Sequence, residues 1–440
     1  MNYSRIPSSS DAEYGELAFV IRHILSLIKP NEEDQIRRHH VINAFAAVIS
    51  SVQSLRGATV NPFGSFVSNL YTRWGDLDIS IDLPHLPHVP LVSASRKRKQ
   101  DILKAIMRAL RRNGGIHKLR FVPSARVPLL IFENSYHNIS CDISVDNRVG
   151  RMKSKILLWI SNIDERFRDM ILLIKEWAKT HNINDPKSGS FNSYSLCLLV
   201  IFHFQMCTPA ILPPLKDIFG ENLVHALTGM DYNPELHLEG VCTGNISRFI
   251  SQNRRINQNS LSELFVSFFE RFSRLDSLSL DYAISTYTGC WEPLTTKAGW
   301  LEKNYAILVE DPFEQPDNAA RAVSQTQLAM IFEAISETRR KLSNPAVLRN
   351  RNSLLRSMVR NNINSGVGVS TPHRVYNING SPAIDRFTHT AAAAPTIEER
   401  FQRTFRLQNH RSPVHQQRPG AHYEQGHQTW VPRSSLDRSF

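Results

Sequence analysis

The chain has 440 residues, 41% of them hydrophobic, which is enough for more than one packed core. No segment reads as a secretory signal or as an apolar stretch long enough to span a bilayer, so the expectation is a soluble protein of the nucleus, the cytoplasm or both, with no membrane partner. Net charge is +12, and thirteen Arg against five acidic residues from Ser343 onward put +8 of it in the last part of the chain. The five cysteines show no Cys-x-x-Cys spacing, and His181, His203 and the His39-His40 pair lack ligands at zinc spacing, which excludes a disulfide scaffold and a zinc site.

In chain order, residues 1–40 read as one or two helices with Leu17, Phe19, Val20, Ile24 and Leu27 as the buried stripe, expected to pack on a later helical domain. Residues 41–150 read as a mixed α/β unit. It opens with the turn Pro62-Phe63-Gly64-Ser65 and continues, after a loop, into Asp76-Leu77-Asp78-Ile79-Ser80-Ile81-Asp82, which alternates polar and apolar like a half-buried strand. A helix begins at Arg96-Lys97-Arg98-Lys99. Then Arg126 to Phe132 reads as a buried strand, Asn134 to Asn138 as a turn, and Ile139 to Val145 as a returning strand. Residues 151–342 read as mainly helical, with a periodic stripe between Ile163 and His181 and an apolar run from Leu196 to Phe202 that is too short to cross a membrane. Residues 343–440 are rich in Arg, Asn, Ser, Gln and Pro and read as a disordered basic tail, with Tyr423 and Trp430 placed to stack on bases.

The chemistry concentrates on the polar faces of the strands. Asp76, Asp78 and Ser80 share one face, where two carboxylates are suited to hold divalent cations, and the Gly64-Ser65 turn offers backbone N–H groups and a hydroxyl to oxyanions. Asp142 falls on the polar face of the returning strand. Pairing of that strand beside the first would bring three carboxylates together, an outline for metal-dependent nucleotidyl transfer in which Asp142 also suits a general base. Lys175 and Lys179 are four apart on one helix, so both ammonium groups face the same way and can clamp phosphates. Ser193 and Tyr194 open the next helix, in positions typical of an N-cap and a packed ring.

With these motifs, and with Lys175-Glu176-Trp177-Ala178-Lys179 and Glu310-Asp311-Pro312-Phe313-Glu314, residues 1 to 340 resemble the DNA polymerase β-like nucleotidyltransferases, in the branch of non-canonical poly(A) polymerases and terminal uridylyltransferases. The nearest look is to plant enzymes that tail small RNAs lacking a 3′ methyl mark. The resemblance implies an α+β fold, a nucleotidyltransferase palm plus a mainly helical poly(A)-polymerase-associated domain, with Asp76, Asp78 and Asp142 binding Mg²⁺ or Mn²⁺ as the catalytic set. It implies Gly64, Ser65, Lys175, Lys179 and Ser193 as triphosphate contacts and Tyr194 as the ring that stacks on the base. The implied reaction is untemplated addition of nucleotides, uridines from UTP, to the 3′ end of a small or unmethylated RNA, with an Argonaute-type protein as a candidate partner. ATP as donor, and an inactive RNA-binding adaptor on the same fold, are the alternatives. Two positions depart from the pattern. Lys153-Ser154 stands where relatives often carry Asn with Thr or Ser, leaving Asn147 as a candidate polar contact, and Gln315-Pro316-Asp317-Asn318 stands where many uridylyltransferases carry a uracil-reading His. Asp317 is therefore the expected base contact, able to accept from uracil N3–H or from the adenine amino group.

Overall fold

Apolar residues sort into two cores, one under a sheet and one among helices. The computed structural model describes residues 14–84, 94–220, 227, 234–297, 304–360 and 363. The sheet contains β1 (Thr59–Phe63), β2 (Leu77–Asp82), β3 (Ile116–Val122), β4 (Leu129–Asn134) and β5 (Ile139–Val145), in the order β1-β2-β5-β4-β3. Only the β2–β5 pair is parallel. Pro62 is tolerated because β1 is an edge strand, where a missing N–H breaks no inner ladder. The β4–β5 turn forms because Asn134 Oδ1 accepts from the backbone N–H of Tyr136 and His137.

Two helices cover one face of the sheet: α1 (Gly15–Ile28) is not among them, whereas α2 (Glu32–Ser50) is. It starts at a capping box in which Asn31 and Asp34 satisfy each other's backbone N–H. Val41, Ile42, Phe45 and Ile49 of α2 pack with Leu77, Ile79 and Ile81 of β2. After the short α3 (Gly64–Val67), α4 (Arg96–Asn113) adds Leu103, Ile106 and Leu110 to the same core.

The second core is built from α1, α5 (Arg148–Ser161), α6 (Glu165–Thr180), α7 (Ser193–Gln205), α8 (Lys216–Phe219), α9 (Pro234–Ser251), α10 (Leu261–Phe272), α11 (Leu275–Asp281), the hairpin β6–β7 (Tyr282–Ser285 and Cys290–Pro293), α12 (Gln325–Leu342), α13 (Pro345–Leu348) and α14 (Arg351–Met358). Among the described residues no helix is long and apolar enough to cross a membrane. The α+β class, a mixed-sheet palm with a mainly helical region, is as the sequence implies.

Four expectations shift. The boundary at residue 40 falls inside α2, because only α1 joins the helical core while α2 belongs to the palm. The boundary at 150 falls inside α5, whose Met152 and Ile156 reach the helical core. The tail does not begin at 343: Leu348, Leu354, Met358 and Val359 are buried in the helical core, and Arg360 pairs with the buried Glu176. Strand β4 begins at Leu129, leaving Arg126 in the preceding loop, since the Pro128 ring removes a ladder donor. The basic segment from 364 to 440, with Tyr423 and Trp430, lies outside the described residues.

Candidate active site

Parallel pairing of β2 and β5 sets Asp78 opposite Asp142. On β1 the partner of Asp78 is Phe63, so the turn into α3 passes directly over the carboxylate. Gly64 there has φ +69°, and a Cβ in its place would lie 2.0 Å from Asp78 Oδ2, so both the conformation and the contact require glycine. Its N–H donates to Ser154 Oγ at 2.6 Å, and Ser154 in turn donates to Gly150 O. Ser154, noted in the sequence only as a departure from a family pattern, therefore fastens the turn to α5.

Asp76 precedes the strand and is placed by an arginine that the sequence reading missed. Arg38, 1% exposed on α2, donates to the carbonyls of Arg73 (3.2 Å) and Gly75 (2.8 Å) and stacks 4.6 Å from the centre of the Tyr71 ring. No local signal marks it, because an Arg in a helix reads as solvated.

The carboxylates act on one another unequally, Asp78 feeling both of the others and Asp142 feeling Asp76. Burial, then Asp142 and Asp76, push Asp78 up to about 8. Burial and then Asp76 push Asp142 up to about 6. Asp76 is raised as well, by burial, with Lys179, Ser140 and Arg38 opposing the rise. Such crowding is costly unless a cation offsets it, and hard oxygen donors suit Mg²⁺ or Mn²⁺. Among the described residues no three His, Cys, Asp or Glu side chains are drawn close enough to form a metal cage by themselves. The donor chemistry nevertheless fits a divalent cation: Asp78 and Asp142 stand side by side in register, and the Asp76 carboxylate raises the pKa of both.

Cations stand around this patch in unequal roles. Lys175 is buried and donates to Leu70 O at 2.8 Å, which ties α6 to the segment after α3. Lys179 is only partly buried; burial and then Arg360 lower its pKa, while Asp76 raises it. Lys187, on the surface before α7, draws down the pKa of both Asp76 and Asp142 and had no signal in the sequence. The N-cap of α7 is Asn192, which accepts from Ser195 N–H at 2.7 Å; Ser193 is exposed and meets Asn184 instead. Asn147 caps α5 by accepting from Gly150 N–H at 3.1 Å, so its side-chain oxygen is engaged locally.

The other end of the site is a chain of charges. Tyr194 donates its hydroxyl to Asp311 Oδ1 (3.0 Å), and burial followed by Asp311 holds its pKa well above the phenol range. Lys153 Nζ donates to Asp311 Oδ2 (2.6 Å) and Glu314 Oε2 (2.5 Å) and lies 5.0 Å from the centre of the Tyr194 ring. Arg126 donates to Glu314 Oε1 (3.0 Å) and to Asp317, and Arg321 also donates to Asp317 (2.9 Å). The sequence-expected base contact, Asp317, is thus engaged by two arginines.

Residues 17–162 match the family described as the central palm domain of mitochondrial-like poly(A) RNA polymerases. The chain is 50% identical over 336 residues to Protein HESO1 of Arabidopsis thaliana, covering 76% of this chain and 65% of that one. It is 28% identical to human Poly(A) RNA polymerase GLD2, covering 68% and 57%. The chain thus spans less than two thirds of the length of these relatives. Among solved structures, mtPAP in complex with CTP superposes with a TM-score of 0.64 at 20% identity, covering 82% of this chain and 76% of that one. The Cid1 poly(U) polymerase superposes with a TM-score of 0.62 at 21% identity, covering 79% and 99%; both show the fold alone. With the paired aspartates of β2 and β5 under a glycine turn, these matches make the chain similar, in its palm, to the DNA polymerase β-like nucleotidyltransferases of the poly(A) polymerase and terminal uridylyltransferase group.

Proposed function

We propose that the protein is an untemplated RNA 3′-terminal nucleotidyltransferase that uses UTP. The observation that carries the reading is the parallel register of β2 and β5, with Gly64 closed onto Asp78. A divalent cation on Asp76, Asp78 and Asp142 would neutralise charge at the α-phosphate and make the RNA 3′-hydroxyl more acidic. Asp142, raised toward neutrality, is suited to take the proton of that hydroxyl as it attacks and pyrophosphate leaves. Lys179 offers charge to the outer phosphates, and the Tyr194 ring offers a stacking face to the base.

Uridine rather than adenosine is supported by the resemblance to plant small-RNA tailing enzymes. ATP as donor has support of its own, since GLD2 and mtPAP are poly(A) polymerases by name or family description. Extension of a labelled oligoribonucleotide with each NTP in turn, in Mg²⁺ and in Mn²⁺, tests both. UTP as the best donor is expected; preference for ATP would move the chain to the poly(A) reading, and no extension with any NTP would favour the inactive adaptor. The proposal extends to small RNAs lacking a 3′ methyl mark, an Argonaute-type partner and action in the nucleus or cytoplasm, all of which rest on the resemblance.

A further inference from the structure

We infer that Arg360 is a positioning residue for nucleotide binding: by holding the buried Glu176 carboxylate, it leaves the Lys179 ammonium free to face the triphosphate. The inference rests on the reading of Lys179 as a phosphate contact and adds to it a residue from beyond α14.

Helix α6 carries three charges in its last two turns, Lys175, Glu176 and Lys179. Lys175 is committed to the Leu70 carbonyl at 2.8 Å, and as the immediate neighbour of Glu176 it points away from that side chain. Glu176 and Lys179 are three apart, the spacing at which side chains of one helix meet. A free Glu176 would therefore take the Lys179 ammonium as its partner. The pull would be strong, because Glu176 is 0% exposed and an unpaired carboxylate there has no water to turn to.

Arg360 removes that competitor. Its Nε donates to Glu176 Oε1 at 2.9 Å and its Nη2 to Oε2 at 3.0 Å, a bidentate pair that occupies both oxygens. Its backbone N–H adds a further donor to Oε1 at 3.3 Å. The guanidinium comes from 184 residues away in sequence and is held in place by the segment before it. Leu354, Met358 and Val359 are buried in the helical core, and His181 Nε2 lies 3.0 Å from Ser357 O. Burial lowers the pKa of Lys179, followed by Arg360, while Glu176 and Asp76 raise it, so the ammonium lies within electrostatic reach of all three charges. With Glu176 already paired, Lys179 is drawn toward Asp76, the side on which a metal-bound triphosphate would sit.

The test measures the dissociation constants of MgUTP and MgATP without RNA, and KM and kcat for RNA extension, in the full chain. The variants are Lys179→Ala, Arg360→Ala, Arg360→Gln, Glu176→Gln and the pair Arg360→Ala with Glu176→Gln, each with its melting temperature. Arg360→Ala and Arg360→Gln are each expected to weaken binding of both nucleotides about fivefold with kcat nearly unchanged, because a phosphate contact is lost and base recognition is not. Adding Glu176→Gln to Arg360→Ala is expected to return both constants to within about twofold of wild type, since no buried charge then competes for the ammonium. A merely structural role for Arg360 would leave the pair as weak as Arg360→Ala. That result, or wild-type constants in the folded Arg360 variants, overturns the inference. Lys179→Ala with wild-type constants overturns the phosphate reading of Lys179, and the positioning role with it. Lys179→Ala with weakened binding, beside unaffected Arg360 variants, overturns the positioning role alone. Should Arg360→Ala fail to melt cooperatively, Arg360→Gln, which keeps an amide donor in the same place, carries the decision, alone and paired with Glu176→Gln.

Discussion

The two ends of the site solve opposite electrostatic problems. At the aspartate end, Asp76, Asp78 and Asp142 crowd together and each is held in part toward its neutral form. At the base end, Asp311, Glu314 and Asp317 are as acidic a group, yet each is paired with Lys153, Arg126 or Arg321. An arrangement with compensated charge is preorganised for binding, while one with uncompensated charge stores repulsion that a ligand relieves. The first is built to recognise; the second is built to take up a cation.

The largest expected effect lies at the uncompensated end. Asp78→Ala or Asp142→Ala should reduce single-turnover extension by at least about a thousandfold while the protein still melts cooperatively, because the variants remove ligands rather than packing. Extension at a few per cent of wild type in saturating Mg²⁺ would remove these residues from the catalytic set.

Stability should separate the two ends by sign. An acid whose folded pKa is raised from 3.8 to about 8 opposes folding increasingly as pH rises from its unfolded value to its folded value, and fully above that. In metal-free buffer at pH 8, Asp78→Asn should therefore be more stable than wild type by about 2 kcal/mol, discounted because the residue is only partly buried, and the gain should vanish near pH 4. Glu314→Gln should do the reverse at neutral pH, costing about 1–2 kcal/mol by leaving Lys153 and Arg126 short of an acceptor. Denaturant melts of both variants at three pH values decide the point; equal signs would end the contrast.

The lysines sharpen it further. Lys179→Ala should raise the KM for NTP about tenfold with a smaller effect on kcat, since a phosphate contact persists from ground to transition state. Lys175→Ala should instead lower the melting temperature, because its ammonium holds the Leu70 carbonyl in the interior. Initial-rate kinetics beside melting curves test the division. The smallest effect is expected at Asp317→Ala, a change of about 1 kcal/mol or less in the UTP-over-ATP preference, transmitted through a more mobile Arg126. A tenfold or larger loss would make Asp317 itself a base contact.

Much of this site was legible as short local patterns. Alternation marked β2 and β5, the Gly-Ser turn marked the approach to the carboxylates, and the period of the stripe marked α6. What was misread has a common cause. Ser80 and Asp82 look like solvent-facing polar residues of β2, yet Ser80 is buried and donates to Asp82, which pairs with Arg151 of α5. The breaks at 40, 150 and 343 were drawn where composition changes, but the first two fall inside helices, and beyond the third α13 and α14 still join the helical core. Asn192 and not Ser193 caps α7, since both residue types suit the cap and only backbone geometry separates them.

By itself, the sequence determined β2, β5, α1 and α6 as strands and helices, where the carboxylates sit on their strands, and that Gly64 must turn tightly. These properties depend on periods of two or 3.6 residues and on single-residue dihedral limits, which are local. Tertiary structure alone decided that β5 lies parallel beside β2 so that Asp142 meets Asp78, and that buried Arg38 holds the loop before Asp76. It also decided that Arg126 reaches Asp317 across a separation of 191 residues. Such contacts are selected by how whole elements bury their apolar faces, and a charged side chain carries no local mark of the partner that folding will bring to it.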